Sequence, residues 1–190
     1  MRAATERMDE TMNGLDLARL EATMETMDAE PSRASFTFRA RNSWMEGGRT
    51  RSMIADHDGM GATHLRPRPH VLISDEPRAL LGRDGGASPV EHLLHALAGC
   101  LTRTLVYHAA ARGVELHEVH TNVEGTMDAR GMLGVPGGRR KGFTEIRVAF
   151  DVKSEASERE IEELMLLARR HSPAFEMLAN PTEVKVMRRA

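Results

Sequence analysis

The sequence predicts an α+β domain in which helices and sheet are segregated along the chain, and three observations predict it. Alternating apolar and polar residues open the body of the chain around Phe36 and Phe38; a long, mostly apolar helical stretch, "SPVEHLLHALAGCLTRTLVYHAAARG", occupies its middle; and two further alternating runs, then a second amphipathic stretch, follow. Period-two runs are strands, runs at three- and four-residue spacing are helices, and this order gives a meander, a long helix, two strands, a helix and a last strand.

Taken in order, Leu17, Leu20, Met24 and Met27 recur at helical spacing between Asp16 and about Ala29, and Glu30-Pro31-Ser32 closes that helix. "ASFTFRARNSW", the turn Glu46-Gly47-Gly48 and "RTRSMIADH" read as a β-hairpin. A loop punctuated by Pro67 and Pro69 is expected to lead to a short strand, "HVLIS", and "DEPRALLGRDGGAS" brings the chain to the long helix. Ser88 fits its N-cap, Pro89 its first position and Glu91 the reciprocal partner of the cap, while Gly113 is its stop. "VELHEVHTNVEGTMD" and "FTEIRVAFDVKS" are strands, joined by the glycine-rich, basic "ARGMLGVPGGRRKG", which reads as a mobile loop. Ser157 and Glu160 fit a capping box opening a helix with Ile161, Leu164 and Ala168 on its buried stripe; Pro173 should end it, and "TEVKVMR" should be a final strand. The expected organisation is a helical extension over residues 1–32 and one domain over 33–190.

Composition excludes several functions. With 190 residues the chain can bury a real core, and a net charge of −2 with few aromatics argues against nucleic acid as a partner. No stretch reaches the roughly 18 apolar residues of a membrane span, and the charged start has no signal-peptide core, so a cytoplasmic protein is expected. A single cysteine, Cys100, excludes an intramolecular disulfide and a multi-thiolate metal site.

Cys100 shares its helix face with Leu93, Ala96, Leu97, Arg103, Thr104 and Tyr107. His92 and His108 lie off that face, and the mid-helix position gains little from the dipole, so any activation of the thiol must come from a cation such as Arg103 or from other segments. The plainer alternative is a small residue filling the core. Other constellations are better explained structurally. His92 and His95 lack a third metal ligand, so neither a metal nor another cofactor is expected. His117 and His120 point to opposite strand faces. Ser172 beside His171 has no nucleophile elbow, and "GGRRKG" has no strand-to-helix phosphate-loop context.

The pattern "ASPVEHLLHALAGCLTRTLVYHAAARGVEL", followed by "NVEGTMD", "KGFTEIRVAFDV" and "HSPAFEMLANPTEVKV", resembles the OsmC/Ohr superfamily of osmotically inducible and organic-hydroperoxide-resistance proteins, from about Ser35 to Val186. The resemblance implies an α+β fold in which a strand meander and sheet wrap a long central helix, two protomers intertwine, and sites lie at the dimer interface. For the peroxidase members it further implies a reactive cysteine, a resolving cysteine, and an Arg and a Glu that activate the thiol. By motif Cys100 falls on the reactive cysteine, and Arg49 in "EGGRTRS" on the arginine, with Arg51 as the alternative. The resolving cysteine falls on Ser172 and the glutamate on Val90, with Glu91 one position on. The resulting expectation is a cytoplasmic homodimer reducing organic hydroperoxides by a one-cysteine cycle, with Cys100 as nucleophile, Arg49 and Arg103 as its cations, and an external thiol as reductant. Against it stand a non-catalytic protein binding an apolar or electrophilic ligand at the same interface, and a persulfide carrier.

Overall fold

The structure is a computed structural model that describes residues 11–137 and 140–188. It divides into two compact units, the first spanning residues 16–93 and the second combining 11–15 with the chain from 94 onward.

The first unit opens with α1 (Leu17–Ala29), where Asp16 accepts the backbone N–H of Arg19 at 2.8 Å as N-cap. None of its residues is buried, and Met24 on the apolar stripe is 62% exposed. The stripe has the predicted spacing and no core beneath it. The expected first hairpin strand is divided into β3 (Thr37–Phe38) and β4 (Arg41–Glu46), both pairing with the same edge of β5 (Arg49–Gly59). Arg39 and Arg41 bond Asp56 at 3.0 and 3.1 Å, Arg39 also bonds Asp58, and these ion pairs lace the divided edge to β5.

The other edge of β5 corrects an expectation. The loop predicted around Pro67 and Pro69 is part of β6 (Ala62–Ser74), which pairs with β5 along its length. Ile54 faces His70 and Asp56 faces Leu65, so residues 66–69 form a bulge opposite Ala55. Proline has no N–H to give a ladder and is tolerated at a bulge; the two prolines mark an interruption inside a strand, not its absence. After β6 the chain turns tightly. A Cβ on Gly82 would stand 1.7 Å from the Glu76 carbonyl oxygen, so only glycine fits there.

In the second unit, α2 (Pro89–Ala111, its first turn in the first unit) is stopped by Gly113 at φ +69, with the N–H of Val114 closing on the Ala109 carbonyl at 2.9 Å. Strands β7 (Glu118–Met127) and β8 (Phe143–Lys153) form an antiparallel pair in which Val119 faces Val152 and Val123 faces Val148. These apolar positions pack with Leu97, Leu101, Leu105, Leu164 and Ala168 into one core. Leu164 and Ala168 belong to α4 (Glu158–His171), whose Ser157–Glu160 capping box forms as the sequence predicts.

Two local expectations differ from the structure. The β7–β8 connection carries a short helix, α3 (Ala129–Met132), capped by Asp128. Thr182–Arg188 form no strand; Val184 and Val186 are 79% and 92% exposed, so nothing among the described residues covers them. Pro173 follows the end of α4 as expected and also starts α5 (Pro173–Ala179), because a proline at the first position needs no N–H partner and Ser172 supplies the cap. One element has no counterpart in the expectations. Asn13 and Gly14, both at positive φ, make a tight turn between β1 (Thr11–Met12) and β2 (Leu15–Asp16), and the Asn13 amide donates to the Val114 carbonyl and accepts from the Leu116 N–H.

Candidate functional site

The buried stripe of α2 runs through Leu97, Leu101, Thr104 and Leu105. Cys100 stands beside that stripe, half-buried, and is not part of the core cluster. Within this one chain it lies next to the core without belonging to it. On the outer side Leu93 and Tyr107 are 41% and 40% exposed, and Arg103 is exposed. Arg103 reaches back one turn and sets Nη2 3.8 Å from the Cys100 sulfur. The guanidinium donates to the sulfur across one turn of the helix.

The family positions that depart from the motif have structural employment. Ser172 is 1% exposed, and its hydroxyl accepts the Phe175 N–H at 3.2 Å as N-cap of α5. His171 packs against His108, ring centroids 4.9 Å apart and planes tilted by 44°. Burial lowers the pKa of His108, and the neighbouring His171 and Arg112 lower it further. Glu91 accepts the backbone N–H of Ser88 at 2.7 Å and its hydroxyl at 2.8 Å, and these bonds lower its carboxyl below the ordinary glutamate value. Its carboxylate is committed to the start of α2.

Arg49 lies in the first unit, at the start of β5 after a turn whose Gly47 takes φ +52. The guanidinium is half-buried, its Nε enclosed without a hydrogen-bond partner. Close by is a residue that sequence reasoning missed, Asp75, which is 2% exposed and accepts the N–H groups of Glu76, Gly85 and Arg83 at 2.8, 3.0 and 3.2 Å. The Gly85 bond is foremost in lowering its pKa, with the charge of Arg49 contributing. A small cavity of about 160 Å³ opens between Arg49, Asp75 and Arg83. Arg51 is exposed, with the Met53 sulfur 3.9 Å from its guanidinium. Within the second unit an apolar cavity of about 380 Å³ is lined by Leu101, Val148, Phe150, Met165, Leu166 and Phe175, with Glu162 and Arg169 at its edge. Among the described residues no group of three or more His, Cys, Asp or Glu could hold a metal, and no helix is long and apolar enough to cross a membrane.

The structure thus brings Cys100 and Arg103 together in one unit and gives Arg49 a carboxylate neighbour in the other. The family model for OsmC-like protein matches residues 82–187, more than half of the chain. No curated protein matches it. Among solved structures, an OsmC-like protein from Mycoplasma pneumoniae is similar at 20% identity with a TM-score of 0.58, covering 76% of this chain and 89% of that one. A Legionella pneumophila protein described as an organic hydroperoxide resistance protein is similar at 19% identity and a TM-score of 0.54, covering 75% and 88%. An OsmC-like protein of unknown function from Vibrio cholerae gives 14% identity and 0.52, covering 77% and 94%. At these identities the shared property is the mixed α+β fold.

Proposed function

This chain belongs to the OsmC-like protein family, and on that premise we propose that it reduces organic hydroperoxides with Cys100 as nucleophile, in a one-cysteine cycle completed by an external thiol. The observation that carries this reading is the placement of Cys100 outside the core with the Arg103 guanidinium 3.8 Å from its sulfur. The thiolate attacks the outer peroxide oxygen. A sulfur–oxygen bond forms, the oxygen–oxygen bond breaks, and the alkoxide leaves and takes a proton from water to become the alcohol. Cys100 is then a sulfenic acid. One external thiol condenses with it, releasing water and leaving a mixed disulfide, and a second frees the Cys100 thiol as an external disulfide. Ser172 has no thiol to give, so the reductant must come from outside the chain. Arg49, paired electrostatically with Asp75, is the second cation of the proposed site, completed in a cytoplasmic homodimer of domain 33–190 with residues 1–32 as an extension.

The test is the intact mass of reduced protein mixed with equimolar organic hydroperoxide and a sulfenic-acid trap, timed against free cysteine. Trapping at Cys100 much faster than at free cysteine supports the reading; trapping no faster sinks it. The apolar cavity of the second unit favours a second reading, in which the protein binds an apolar ligand without turnover. That reading requires Cys100→Ser to keep the affinity for the ligand, and a large loss of affinity would count against it.

A further inference from the structure

We infer that Tyr107 is a positioning residue for the Cys100 thiol, acting by holding the Arg103 guanidinium against the sulfur; the inference rests on the reading of Cys100 as a nucleophile. The three residues follow one another along the outer side of α2 at offsets of three and four. Long side chains on a helix lean toward its N-terminus, so each of them covers the residue one turn before it. Arg103 Cζ lies 6.0 Å from the centre of the Tyr107 ring, and Arg103 Nη2 lies 3.8 Å from the Cys100 sulfur. The guanidinium is bracketed between a negative ring face and the sulfur.

The bracket matters because Arg103 is exposed, and an unrestrained arginine on a helix surface samples many rotamers. Among the described residues Arg103 has no carboxylate partner to hold it or to cancel its charge. Tyr107 restrains the side chain without neutralising it, leaving the full positive charge for the sulfur. On the same helix Glu91 is engaged with Ser88 and His108 with His171.

The measurement is the rate at which iodoacetamide alkylates Cys100 in the native full-length protein, as a function of pH. Tyr107→Leu lowers that rate at pH 7 by roughly two- to fivefold, the size expected for losing an exposed cation–π contact. Tyr107→Phe keeps the ring face and restores the wild-type profile. In an Arg103→Met background Tyr107→Leu has no further effect, because its action passes through the arginine. A wild-type rate in Tyr107→Leu overturns the inference. So does the same loss with Arg103 absent, or a Cys100 that iodoacetamide does not reach. Hydroperoxide turnover is read separately: an intact alkylation cycle without turnover removes the proposed function and keeps the positioning, while turnover with a flat cycle does the reverse.

Discussion

Cys100 sits where a helix changes from packing to presenting, between Leu101 at 3% exposure and the exposed Arg103. If its thiol is the nucleophile, Cys100→Ser removes hydroperoxide consumption down to the buffer rate while the protein keeps its native hydrodynamic size, and retained turnover would end the proposal. Ser172 is the opposite case. Its hydroxyl caps α5, so Ser172→Ala costs about 1 kcal/mol of stability, seen as a lower urea midpoint, and leaves sulfenic-acid trapping at Cys100 unchanged. Slowed trapping would give Ser172 a chemical part that its burial does not suggest. What could be read from sequence here follows range. The Ser88–Glu91 and Ser157–Glu160 caps and the Arg103 approach to Cys100 are three-residue relations, and they form as written. Spacing on a helix gives direction but no distance, so the 3.8 Å between the Arg103 guanidinium and the Cys100 sulfur is legible only in the structure. Asp75 went unread because two of its three amide partners, Arg83 and Gly85, lie eight and ten residues on, brought back by a turn that only the glycines hint at.

At the scale of elements, acid should loosen the edge of the β3–β6 sheet. Asp56 and Asp58 have lowered pKa values, in each case chiefly because Arg39 bonds the ionised form. A carboxylate held below its unfolded value stabilises the fold fully above that value, about pH 4, and the contribution is lost as pH falls through the lower folded value. The urea midpoint should therefore fall as pH drops below about 4, with a smaller fall in Arg39→Met; an unchanged slope in that variant would show that the ion pairs hold nothing. Less acid acts on His108. Its folded pKa is lowered, so the unfolded chain takes up the proton first and stability declines as pH falls from about 6.5. His108→Gln should flatten that part of the curve, and an identical slope would dismiss the residue. Proline explains one of the elements misread from sequence. Pro67 and Pro69 suggest a loop and mark a bulge, whereas Pro173 follows the end of α4 as expected and also begins α5. In each case the residue forbids one hydrogen bond, and its surroundings decide whether that bond is needed.

For the whole molecule, the distribution of burial is the decisive fact. Among the described residues, all seven buried hydrophobic ones fall between Leu97 and Ala168, within the second unit. The first unit has a β-sheet but leaves Phe38, Trp44 and Leu65 at 73%, 73% and 79% exposure. A sheet without a buried apolar face has little to offset the entropy of ordering it, so these side chains need a covering surface. The order of elements was legible because periodicity is a property of each segment, whereas the covering surface was not, since alternation says which face is apolar and never what lies against it. A second copy of the chain is the cover that the proposed homodimer supplies. The expected outcome is a dimer mass by light scattering at micromolar concentration, with a melting temperature that rises with protein concentration as mass action requires. Phe38→Asp, placing a charge among the exposed apolar side chains of the sheet, should shift the population toward monomer and remove that concentration dependence. A wild-type monomer with a fixed melting temperature would mean that the sheet stands without a partner, and the proposed site would then have to be complete within one chain.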